Sequence, residues 1–134
     1  MLLPALWAAV FDITITIILQ PAGYWAGHLQ LADEGNPIGA FAMKHHVSGI
    51  FILSFLWLII ITITGLLLSS RKLQYFTLFI VICHTYGACT WIQNYFGFWY
   101  VLLYILLNSV LFIKAQSAGM SDQNKIAEFN VNKR

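Results

Sequence analysis

Four long apolar runs alternate with short polar breaks along this chain. The runs cover 2–19, 47–68, 75–92 and 98–114, each near the roughly 20 residues a helix needs to cross bilayer hydrocarbon. The breaks carry helix-stopping chemistry. Gln20-Pro21 ends the first run, because the residue before a proline is pushed out of the helical region. Asn36-Pro37 opens a new helix, with the asparagine as cap and the proline at the first helical position. Ser69-Ser70-Arg71-Lys72 closes the second run, and a short turn at 93–97 joins the third to the fourth. The pattern predicts an all-α integral membrane bundle of four transmembrane helices over 1–116. A polar tail over 117–134 follows, mobile or ordered on a partner. The loop over 21–45 mixes glycines with Tyr24, Trp25 and His28, which predicts a short interfacial helix there. The pattern accommodates 37–44 either as the first turns of the second span or as a separate half-helix.

Polar residues inside the runs change the picture. Asp12 costs about 2.5–3.5 kcal/mol at a helix centre, and about ten strong apolar residues return roughly 0.3–0.6 each. The first span therefore needs neighbours. At helical spacing Asp12, Thr16 and Gln20 form one stripe continued by Ala5 and Ala8, so that face is expected against other helices. Gly65 and Ser69 form a small-xxx-small pair that permits close helix contact. The third span carries His84, Thr85, Gly87 and Thr90, and the fourth carries Asn108. Counted by depth, Asp12, His84 and Asn108 fall at one level. That predicts a buried polar network of Asp12, Thr16, His84 and Asn108. Above it Gln20, Glu34, Asn36, Trp91, Gln93 and Asn94 are expected to form an outward polar mouth.

Composition narrows the classes. With 60% hydrophobic, 16% aromatic and 9% charged residues, the chain is far from a soluble domain. A net charge of +2 without a basic cluster excludes nucleic acid as the expected partner. The lipid bilayer and membrane-protein partners, or further copies of the chain, are expected instead. The basic residues Arg71, Lys72, Lys114, Lys125, Lys133 and Arg134 fall on one side and Lys44 on the other. Both termini are thus expected in the cytoplasm of a bacterial-type inner membrane. The N-terminus lacks a basic leader and a small-x-small cleavage site, so it is read as a retained first span. Cys83 and Cys89 lie about 9 Å apart along a helix, too far to bridge, and are expected simply to pack.

For chemistry, Asp12, Glu34 and His84 are the candidate metal ligands, although no H-E-x-x-H spacing is present. Asp12 with His84 also suits a proton relay, or the pair with its amide neighbour suits a polar headgroup. The same residues serve equally as interhelical glue. His45 and His46 are adjacent, so on a helix they point about 100° apart and chelate poorly. No nucleophile elbow, phosphate loop or paired catalytic carboxylates occur, so no reaction and no cofactor is specified.

The order of Asp12, Thr14 or Thr16, a glycine-containing loop, then Glu34-x-Asn36-Pro37 resembles small bacterial and archaeal membrane proteins of the DUF5658 type. His84-Thr85-Tyr86-Gly87 is a further polar motif on the third span, and the resemblance covers roughly 12–94. It implies a shared membrane bundle and pairs Asp12 with Glu34, while supplying no activity. The expected function is an accessory or assembly subunit of a larger membrane complex. The alternatives are a membrane-embedded binding protein or enzyme using the Asp/Glu/His cavity, and an oligomeric small transporter.

Overall fold

The structure is a computed structural model that describes residues 1–131, with side chains described for 1–119 and 121. The helices are α1 (Leu3–Leu19), α2 (Ala22–Trp25), α3 (Pro37–His45), α4 (Gly49–Leu67), α5 (Ser70–Tyr95) and α6 (Phe98–Val131). A single 3-10 turn lies at Leu29–Leu31, and no strand occurs among the described residues. Of the expected tail, α6 carries the chain through Val131, and 132–134 lie outside the described residues.

Three helical stretches are long and apolar enough to cross a membrane: Gly49–Leu67, Ser70–Tyr95 and Phe98–Gly119. Their surfaces fit lipid rather than water. On α4 only Ile50, Ile61 and Gly65 of nineteen residues are buried, and Ile52, Phe55, Leu56 and Ile63 face outward. This is the sequence of a membrane protein whose helices turn apolar side chains to the bilayer. The remaining long apolar helix, α1, has 17 residues and is about 25 Å long.

Small residues bring α1 into the middle. Ala5, Ala8, Ala9 and Thr16 are buried, and α1 lies along α5 more extensively than any other helix pair. Close approach without side-chain bulk is how membrane helices associate. Gly65 serves the same purpose on α4, where a Cβ would strike the Leu2 side chain. Phe11 on α1 stacks on Tyr104 of α6 with ring centroids 4.4 Å apart. Leu2 beside Gly65, and Met1 beside Gly119, where a Cβ would stand 3.3 Å from the Met1 Cγ, put the N-terminus at the end of the bundle that holds the α4–α5 turn.

At the opposite end the chain folds back on itself. Gln20 has an extended ψ of 141° ahead of Pro21, and α1 stops there. The Gln20 side chain then clamps the returning loop: its Nε2 donates to the Asp33 carbonyl at 2.6 Å, and its Oε1 accepts from the Asp33 N–H at 2.9 Å. Asn36 caps α3 by accepting from the Ile38 N–H at 3.0 Å, with Pro37 in the first turn. Residues 37–45 form a separate half-helix that packs on α4 through a tight turn. Gly49 makes that turn possible, since a Cβ there would strike the Ala42 carbonyl oxygen. Tyr24 is fully buried in the same layer and donates from its hydroxyl to the Val47 carbonyl at 3.0 Å. Burial also pushes the Tyr24 phenol up from its ordinary pKa.

Candidate functional site

A chain of three polar side chains joins three helices near their midpoints. The Trp57 indole N–H on α4 donates to His84 Nε2 on α5 at 2.8 Å. His84 Nδ1 lies 2.8 Å from Asp12 Oδ2 on α1. The indole can only donate, so Nε2 must offer its lone pair and the single ring proton sits on Nδ1, directed at Asp12. His84 is therefore the neutral imidazole in this arrangement. Its side chain is 13% exposed and that of Asp12 18%, so the pair is largely withdrawn from solvent.

Room for the carboxylate comes from Gly87, almost one turn beyond His84. A Cβ there would stand 2.9 Å from both Asp12 oxygens. Directly below the polar chain the bundle closes. Ala9, Ile61 and Ile80, about one turn from Asp12, Trp57 and His84 respectively, belong to one buried apolar cluster with Ala5.

Above it lies a cavity of about 690 Å³, running from Asp12, His84 and Trp57 up to Glu34, Asn36 and Asn94. Its volume is in the range of small-molecule sites. Glu34 is folded over Gly39, with its Cγ 2.8 Å from where a Cβ would be, and its Oε1 accepts from the Asn36 N–H at 2.7 Å. Burial pushes the Glu34 carboxyl above its ordinary pKa; the Asn36 N–H pulls the other way, and the charges of Asp12 and Asp33 add to the rise.

Several residues grouped by the sequence thus meet here. Asp12, Thr16, His84, Glu34, Asn36, Trp91 and Asn94 all line the cavity. Asn108 does not join them. It lies between α5 and α6, donates from Nδ2 to the Tyr104 carbonyl at 3.1 Å, and faces a separate groove of about 450 Å³ with Thr85. Equal depth misleads in this case because Asn108 turns into the groove between α5 and α6 while Asp12 faces the cavity shared with α4. Gln20 is the clamp on Asp33 rather than a lining group, and Gln93 is exposed outside the cavity. Among the described residues no three His, Cys, Asp or Glu side chains come together as metal ligands, so Glu34 stands apart from the Asp12–His84 pair. Cys83 and Cys89 are free thiols.

Trp57 was missed in the sequence. One signal was available, since it stands at the middle of α4, where an indole is out of place among interfacial aromatics. The fold and this site together define a helical membrane protein with a polar cavity let into its bundle. No family model, curated protein or solved structure matches the chain.

Proposed function

We propose that the protein is a membrane-embedded binding protein whose cavity takes a small ligand from one face of the bilayer. The observation that carries this is the cavity of about 690 Å³ with Asp12, His84 and Trp57 at its floor. A polar chain serving only as glue needs no space above it. The apolar seal of Ala9, Ile61 and Ile80 favours binding over passage, which a transporter would need.

In this reading α1 is the fourth crossing, short but supported along α5, and α2 with α3 lies in the outer interface. The positive-inside bias of Arg71, Lys72 and Lys114 puts both termini in the cytoplasm and the cavity mouth outside. A second reading, an accessory subunit of a larger membrane assembly, draws on the width of the apolar surface of α4.

Native mass spectrometry of the full chain released from its membrane tests the two together. A stoichiometric small-molecule adduct is expected, and it should disappear in Ser54→Phe, which places a ring in the cavity without removing a member of the polar chain. Spectra free of adduct overturn the binding reading. A co-purifying membrane chain supports the accessory one.

A further inference from the structure

The cavity is acidic in a way nothing around it balances. Asp12, Asp33 and Glu34 line it, and among the described residues no Lys or Arg does. The one basic group in the lining, His84, cannot serve as the counter-charge, because its Nε2 is occupied as acceptor by the Trp57 N–H. A carboxylate this deep in a membrane bundle calls for a positive partner or a proton.

A second observation points to a ligand rather than to acidity alone. Thr16 is only 8% exposed and Trp91 only 9%, both line the cavity, and neither the Thr16 hydroxyl nor the Trp91 indole N–H has a hydrogen-bond partner among the described residues. With no protein partner, both polar groups are open to whatever fills the cavity. An indole N–H is a donor and asks for an oxygen on whatever enters. Between the polar groups Ile13, Ile38, Met43 and Leu53 give the walls an apolar face.

We propose that this site, read as a ligand cavity, takes an organic cation: an ammonium group held by Asp12 at the floor, with Glu34 as a second carboxylate above it, on a short apolar body carrying a hydrogen-bond acceptor. The ammonium sits over the Asp12–His84 pair, the body lies along the isoleucine and methionine wall, and the acceptor meets Trp91. An amino alcohol has this chemistry, whether free in solution or as the ethanolamine headgroup of a lipid.

The test uses the full chain in nanodiscs of phosphatidylglycerol, which bear no ammonium lipid, with tryptophan fluorescence as the readout. Free 6-aminohexanol, 1,6-hexanediol and 6-hydroxyhexanoate are titrated as a matched cationic, neutral and anionic set. The amine alone should give a saturable response, absent in Ser54→Phe. Asp12→Asn keeps an oxygen to accept from His84 and should weaken binding about ten- to a hundredfold, the effect of losing one charge-assisted hydrogen bond. Glu34→Gln, in the loop, should weaken it less and guards against a folding defect at Asp12. Nanodiscs of phosphatidylethanolamine distinguish the sources: competition there means a headgroup, and unchanged binding means a free amine. A response to the diol or the carboxylate equal to that of the amine, lost in Ser54→Phe, overturns the cation while leaving a ligand cavity. No response to any of the three overturns the cation as well, and the adduct measurement then decides separately whether the cavity binds anything.

Discussion

Adding one methyl group at Gly87 should reverse its effect on stability according to what stands at position 12. In the wild type a Cβ on residue 87 would lie 2.9 Å from both Asp12 carboxylate oxygens and 3.1 Å from Cγ, closer than atoms tolerate. The carboxylate is a side-chain terminus and can give way, but only by leaving His84, to which it is bonded at 2.8 Å. The loss is one buried hydrogen bond to a charged group, about 1.5–3 kcal/mol. Against this, replacing glycine by alanine within a helix returns about 1 kcal/mol. Gly87→Ala should therefore destabilise by about 0.5–2 kcal/mol. With Asp12→Ala in place the obstacle is gone and the helix gain remains, so the same substitution should stabilise by about 1 kcal/mol.

The difference between the two backgrounds is a coupling of about 1.5–3 kcal/mol, within reach of a double-mutant cycle. Helical circular dichroism during unfolding of micelle-bound protein in denaturing detergent gives the four stabilities. If Gly87→Ala changes stability equally in both backgrounds, the carboxylate does not rest on α5 at this glycine, and the geometry of the cavity floor is wrong.

Two further outcomes follow from the loop. Glu34 has a folded pKa above its unfolded value, so its stabilising contribution is full below about pH 4.3 and is lost as pH rises through the raised value. Thermal melts of Glu34→Gln should accordingly gain on the wild type as pH rises from 4 to 8, and an offset independent of pH would rule this out. Gln20→Ala removes both hydrogen bonds to the Asp33 backbone and should cost about 1–3 kcal/mol. Hydrogen exchange should show the Asp33 amide losing protection; if it stays protected, Gln20 is not the clamp.

The apolar runs and their breaks carried most of the fold, because helix ends are written locally. Pro21 stops α1 and Asn36-Pro37 starts α3 through chemistry confined to neighbouring residues. The stripe of Ala5, Ala8 and Thr16 likewise marked the buried face of α1, since small residues at helical spacing are visible along one segment. What joins different segments was less legible. Depth alone put Asn108 with Asp12, but depth fixes the level of a residue and not its azimuth, and Asn108 turns into the groove between α5 and α6. Trp57 was invisible for the same reason: its role rests on a hydrogen bond to a residue 27 positions away. Gln20 looked like a mouth residue, yet its partner is a backbone unit whose position depends on how the loop closes.

The loop is also what turns a buried carboxylate–imidazole hydrogen bond into a site. Without it, Asp12 and His84 would face lipid or another helix and would be adequately explained as a link between α1 and α5. Gln20 fixes Asp33, the Asn36 cap starts α3, and Gly39 leaves space for Glu34, so a second carboxylate is folded over the space above the first. Two acids held at different depths of one cavity repel each other, and that repulsion contributes to the raised pKa of Glu34. Trp57 sharpens the imbalance by holding the second imidazole nitrogen as a hydrogen-bond acceptor. A bundle selected only for stability would gain by relaxing this arrangement, since breaking up uncompensated charge in low dielectric is favourable. Its consistency across the clamp, the cap, two glycines and a tryptophan is the reason to look for a positively charged occupant.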